Sequence, residues 1–104
     1  MAETTQTNIA IREVFRVEED IVALSATGLR ARMKEMMALG VAELVLDLSK
    51  VRMVDSAGIG LLISAHNSLK KTGGSLEIVN ASPEILELLR SMRMHRHFKI
   101  SDGK

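Results

Sequence analysis

The feature that most constrains this chain is the run Leu44-Val45-Leu46-Asp47-Leu48, almost continuous in apolar side chains. A strand with one face in water alternates; a run without alternation needs cover on both faces, as an interior strand of an α/β sheet has. The flanking segments have a different period. Upstream, Ala26, Leu29, Met33, Met36 and Met37 form one helical stripe, Arg30, Arg32, Lys34 and Glu35 fill the other positions, and Gly40 follows as a stop. Downstream, Ile59, Leu62, Ile63, His66 and Leu69 repeat at helical spacing before Lys70, Lys71 and the Gly73-Gly74 pair.

The remaining elements follow from the same reasoning. Ile9, Ile11, Phe15 and Val17 alternate with polar residues and predict a strand over 9–17, after a polar, flexible tail over 1–8. Leu76, Ile78 and Val79 predict another strand. Ser82-Pro83-Glu84 combines an N-cap, a proline at the first helical position and an acid in the first turn, with Ile85, Leu88, Leu89 and Met92 as the buried stripe. A short strand near 98–100 closes the sheet. Strands alternating with helices imply parallel pairs joined by right-handed crossovers, so residues 9–104 should form a single α/β domain with helices packed against a central sheet. A chain of 104 residues has room for one core.

Composition removes several function classes. With 14 basic and 13 acidic residues, the charge is too balanced for a polyanion-binding or lipid-binding domain. Only Phe15 and Phe98 are aromatic, which leaves no platform for stacking bases, so no direct nucleic-acid partner is expected. The cluster Arg90, Arg93, His95, Arg96 and Lys99 reads as charge favoured near a helix C-terminus. Cysteine is absent, which excludes thiolate catalysis and cysteine-based zinc sites. The polar N-terminus and the short longest apolar stretch, Ala57 to Ile63, predict a soluble, cytoplasmic protein with no membrane partner. Most of the seven methionines should be core, with Met53 and Met94 at the surface.

The segment Val54-Asp55-Ser56-Ala57-Gly58-Ile59-Gly60 lies where a strand gives way to a helix, the end of an open α/β sheet at which sites form. Ser56 falls at the N-cap or in the first turn, and Gly58 and Gly60 leave that turn without bulk. On the residues alone, Ser56 reads as a capping serine. Gly-x-Gly without a longer loop and a trailing Lys is no nucleotide cradle. Catalysis by Ser56 needs a base, and His66, ten residues further along the same helix, lies about 15 Å away. His95 and His97, with no acid or thiol beside them, make a poor metal site.

The run from Leu44 through Asp47-Leu48-Ser49-Lys50-Val51-Arg52-Met53 to Asp55-Ser56-Ala57-Gly58-Ile59-Gly60, with Gly73-Gly74-Ser75-Leu76-Glu77-Ile78-Val79-Asn80, the helix after Pro83 and His97-Phe98-Lys99-Ile100, resembles the STAS domain family. The match is to the branch of bacterial anti-sigma factor antagonists. It implies a STAS-type domain with a central mixed β-sheet, no enzymatic activity and no cofactor. It implies phosphorylation of Ser56 by an anti-sigma factor of the histidine-kinase-like ATPase type, release of that partner, and resetting by a PP2C-type phosphatase. Asp20, Met53, Asp55, Ser56, Ala57, Gly58 and Ile59 are the implied partner-binding residues, in a monomer or weak homodimer regulating sigma-factor-dependent transcription. Two positions depart from the family pattern: one strand stands where a hairpin is usual before Asp20, and Ala57 replaces a common Ser or Thr. The alternatives are a non-switching STAS scaffold and a small-ligand or nucleotide sensor.

Overall fold

The computed structural model describes residues 11–102. The tail over 1–8 and the first two residues of the expected strand therefore lie outside the described residues. Chain order is β1 (Ile11–Arg16), α1 (Ala23–Ala38), β2 (Val41–Asp47), α2 (Ser56–Lys70), β3 (Ser75–Ala81), α3 (Pro83–Ser91), a 3-10 turn (Met94–Arg96) and β4 (Lys99–Asp102). The strands lie in the order β1-β2-β3-β4. All three pairings are parallel, so among the described residues the mixed sheet expected from the resemblance is a parallel one. Each crossover steps to the next strand in the same direction, and right-handed crossovers of that kind put all three helices on one face.

The apolar run behaves as an interior strand. Leu44 and Leu46 face the helices and join one core with Leu76 and Ile78 of β3, Leu29 and Met33 of α1, Leu61 and Leu62 of α2, and Ile85 and Leu89 of α3. Val45 points to the opposite face and is also buried, although none of the described helices lies on that face. There Arg12 of β1 pairs with Glu43 of β2 and reaches Glu77 of β3. Gly40 ends α1 at φ 100°, a left-handed conformation that glycine adopts without a Cβ penalty. Ser82 caps α3, its hydroxyl accepting from Ile85 N at 3.2 Å with Pro83 at the first helical position.

Three expected burials are corrected. In α2 the buried face is Gly58, Ile59, Leu61, Leu62, Ala65 and Leu69, and Ile63 is exposed. With Leu61, Leu62 and Ile63 consecutive, periodicity alone could not choose the face. After α3, Met92 is exposed and Met94 is buried, the reverse of expectation. Arg93, at φ 60°, turns the chain between them, so the helical stripe does not continue.

Candidate functional site

The Ser56 segment is held by a second part of the chain, 32 residues earlier. Ile21 runs alongside Val54 in a parallel bridge, with Ile21 N donating to Met53 O at 3.0 Å and Asp55 N donating to Ile21 O at 3.2 Å. Asp20 adds a side-chain tie: its Oδ1 accepts from Arg52 N at 2.8 Å and from Met53 N at 3.2 Å. The Ser25 hydroxyl closes the start of α1, accepting from Val22 N and donating to the Asp20 carbonyl. Asp20 thus fixes the backbone that leads into the site.

Asp55, not Ser56, is the N-cap of α2. Its Oδ1 accepts from Gly58 N at 2.9 Å, and its Oδ2 accepts from Ala23 N, at the N-terminus of α1, at 3.0 Å. One carboxylate serves the positive ends of two helices. These bonds, that from Gly58 foremost and then that from Ala23, hold its pKa below the ordinary 3.8. The reading of Ser56 as a cap is thereby corrected, because Asp and Ser are both capping types and only the backbone decides which one turns. Ser56 is the first helical residue, exposed, and its hydroxyl has no hydrogen bond to any described residue.

The structure brings Asp20, Met53, Asp55, Ser56 and Ala57 together at the carboxyl end of the sheet. Met53 is 58% exposed and Ala57 is exposed beside Ser56. Gly58 and Ile59, expected as partner contacts, are buried. Gly58 lies against the Ile21 carbonyl, which a Cβ would strike, and Ile59 faces the core. Both support the site from beneath. Gly60 is exposed, and a Cβ there would meet nothing, so its absence of bulk serves no internal packing.

One surface residue escaped the sequence reasoning. Leu24, next to the Ala23 amide that Asp55 binds, is 97% exposed. Its signal was positional: it falls off the Ala26, Leu29, Met33 stripe yet is strongly apolar. Leu24 and Met53 flank the Asp55 cap with exposed apolar side chains, the composition of a protein-docking surface. His66 is remote from this end, its ring 6.0 Å from that of His97 and 5.7 Å from Phe98. Among the described residues no three His, Asp or Glu side chains are grouped to hold a metal, and no helix is long and apolar enough to cross a membrane.

Comparison with known proteins agrees with this geometry. A candidate anti-sigma factor antagonist from Thermotoga maritima superposes with a TM-score of 0.83 at 19% identity, over 88% of this chain and 80% of its own. The anti-sigma factor antagonist SpoIIAA of Bacillus, in its unphosphorylated form, gives 0.70 at 16% identity over 95% and 86%. A sulfate transporter family protein from Wolinella succinogenes gives 0.73 at 16% identity over 88% and 77%. These likenesses establish a shared fold, and the STAS domain model matches residues 2–103. A parallel sheet with helices on one face and an Asp-Ser element at its carboxyl end is thus found in a chain that belongs to the STAS domain family.

Proposed function

We propose that this domain is an anti-sigma factor antagonist switched by phosphorylation of Ser56. The observation that carries the reading is the division of labour between two adjacent residues. Asp55 caps α2, and the Ser56 hydroxyl is exposed with no hydrogen bond to a described residue. In this reading the unphosphorylated domain, in the cytoplasm, presents Leu24, Met53, Ser56 and Ala57 to an anti-sigma factor of the histidine-kinase-like ATPase type and so frees the sigma factor. The kinase supplies the nucleotide, and the domain needs no cofactor. A PP2C-type phosphatase removes the phosphate. SpoIIAA, known in unphosphorylated and phosphorylated forms, supports the assignment by analogy of fold.

The physics of release is electrostatic. A phosphoryl group adds about −1.5 to −2 charges, which two helix N-termini accommodate in the free domain. Against a partner the same dianion is desolvated next to the ionised Asp55, so the interface is lost while the fold remains.

The test is partner affinity for wild type, Ser56→Asp and Ser56→Ala, with thermal melts as the folding control. Ser56→Asp should stay folded and bind at least tenfold more weakly, about 1.4 kcal/mol. Ser56→Ala should bind like wild type and resist release by kinase and ATP. Because Asp55 is the cap, Ser56→Ala should change stability by less than about 0.5 kcal/mol. Equal affinity of all three proteins would sink the switch and favour a non-switching STAS module, the alternative to which the sulfate transporter relative lends weight.

A further inference from the structure

The end of the sheet opposite Ser56 carries an unbalanced positive charge. Between Leu88 and Ser101 stand Arg90, Arg93, Arg96 and Lys99 with no acidic residue. The rest of the chain, with 10 basic and 13 acidic residues, sums to −3. Charge favoured at the C-terminus of α3 explains Arg90, in the last turn. It does not explain Arg93, Arg96 and Lys99, which lie beyond the helix.

Arginine is used differently here from most of the fold, Arg52 being the other described arginine whose side chain makes no ion pair or hydrogen bond with a described residue. Arg12 pairs with Glu43 and Glu77, Arg16 with Glu18, Arg30 bonds the Ser64 hydroxyl, and Arg32 lies 4.8 Å over the Phe15 ring. Arg90, Arg93 and Arg96 are exposed and make no ion pair or side-chain hydrogen bond with a described residue. Arg93 is also strained. It follows the α3 cap residue Met92 at φ 60° and ψ 28°, the left-handed slot that glycine fills most comfortably. A side chain kept where glycine would be more stable points to a use for that side chain. Beside it Met92 is 47% exposed.

We propose that Arg90, Met92, Arg93, His95 and Arg96 form a second docking surface of this domain, for an acidic segment of a protein partner. Guanidinium groups bind carboxylates as planar forks, and the Met92 thioether gives an adaptable apolar contact between them. The surface has no exposed Phe, Tyr or Trp ring on which bases could stack, since Phe98 is buried. It is also well separated from the phosphorylation site. His97, at its margin, meets His66, ten residues and about 15 Å along α2 from Ser56. The domain can therefore hold this partner and a partner at Ser56 together, and the proposal stands whether or not Ser56 is a switch.

The probe is a twelve-residue capped peptide of glutamate with two leucines, titrated into labelled protein at 50 mM salt and followed by amide and methionine-methyl NMR. Shifts should be confined to residues 88–101, with the Met92 methyl among them, and the same peptide with glutamine for glutamate should not bind. Arg93→Gly and Arg96→Gln should each weaken binding fivefold or more. Arg93→Gly should at the same time keep or raise Tm, which separates lost binding from lost folding. Lys34→Gln and Ser56→Asp should bind within twofold of wild type. Unchanged affinity in Arg93→Gly and Arg96→Gln, or shifts spread over every basic residue, would overturn the proposal. So would tighter binding of duplex DNA or phosphatidylglycerol vesicles than of the peptide to these residues.

Discussion

The two ends of α2 are organised on opposite principles. At its N-terminus, directed hydrogen bonds fix the backbone: Asp20 holds Arg52 and Met53, and Asp55 holds Gly58 and Ala23. The backbone on both sides of Ser56 is tied, and its own hydroxyl has no hydrogen bond to a described residue. Near the C-terminus, contact is made by the rings of His66, His97 and Phe98, and cations gather without ion-pair partners among the described residues. A side chain that must be available is thus positioned by bonds made by its neighbours, whereas a region held by ring packing amid cations is open to pH and salt.

The hardest way to break the first end is to remove the space on which it depends. Gly58→Ala would drive a methyl group into the Ile21 carbonyl, a backbone atom fixed by its own bond from Asp55 N. A loss of about 3 kcal/mol is expected in chemical denaturation, at the upper end of ordinary overpacking. Gly60→Ala is the internal control. Its Cβ meets nothing, and replacing a helical glycine should stabilise by about 0.5–1 kcal/mol. If both substitutions proved neutral, the close approach of α2 to Ile21 would be wrong.

A smaller effect is expected at the bridging carboxylate. Asp55→Asn keeps the size but weakens the acceptor for two helix N-termini, so Tm at pH 7 should fall by several degrees. The folded protein holds the Asp55 pKa below 3.8, so its contribution is complete above that value and disappears as pH falls through the lowered folded value. The melting curves of wild type and Asp55→Asn should therefore draw together as pH falls below 3.8. A constant difference from pH 7 to pH 2 would mean that the Asp55 charge contributes nothing.

The same contrast explains what was legible in the sequence. Strand and helix order follow from periodicity, and the buried Leu46 and Leu62 were visible as members of strong apolar patterns. The Asp55-Ser56 element could be located but not resolved into cap and free hydroxyl, because that assignment is a matter of one residue in backbone turning. Its tie to Ala23 was unreadable for a different reason, since a contact across 32 residues leaves no local pattern, and Asp20 entered the site only through the family resemblance. At the other end the exchange of Met92 and Met94 turned on Arg93, a left-handed residue that carries none of the glycine signal by which helix ends are recognised. Leu24 was missed because exposure of an apolar residue is a property of the surface it serves, not of the helix that bears it.

The smallest expected effect sharpens the comparison most, because it belongs to the second end alone. Burial, and after it the charges of Lys70 and His97, lower the His66 pKa from 6.5. Lys70 lies one turn along α2, and His97 and Phe98 come from the turn before β4, so among the described residues the charges that shift the ring are cationic and none is a carboxylate. The folded state therefore disfavours the protonated imidazole. The stability this gives is complete above 6.5, declines as pH falls below that value, and levels off once the lowered folded pKa is passed. Wild type should lose a few degrees of Tm at most between pH 7.5 and pH 5, and His66→Gln, which cannot titrate, should lose less. Below pH 4 the two proteins should again fall in parallel, since Asp55 is intact in both. A Tm slope between pH 7.5 and pH 5 that survives in His66→Gln would place the titrating group elsewhere, and the pH response could no longer be assigned to this end of α2.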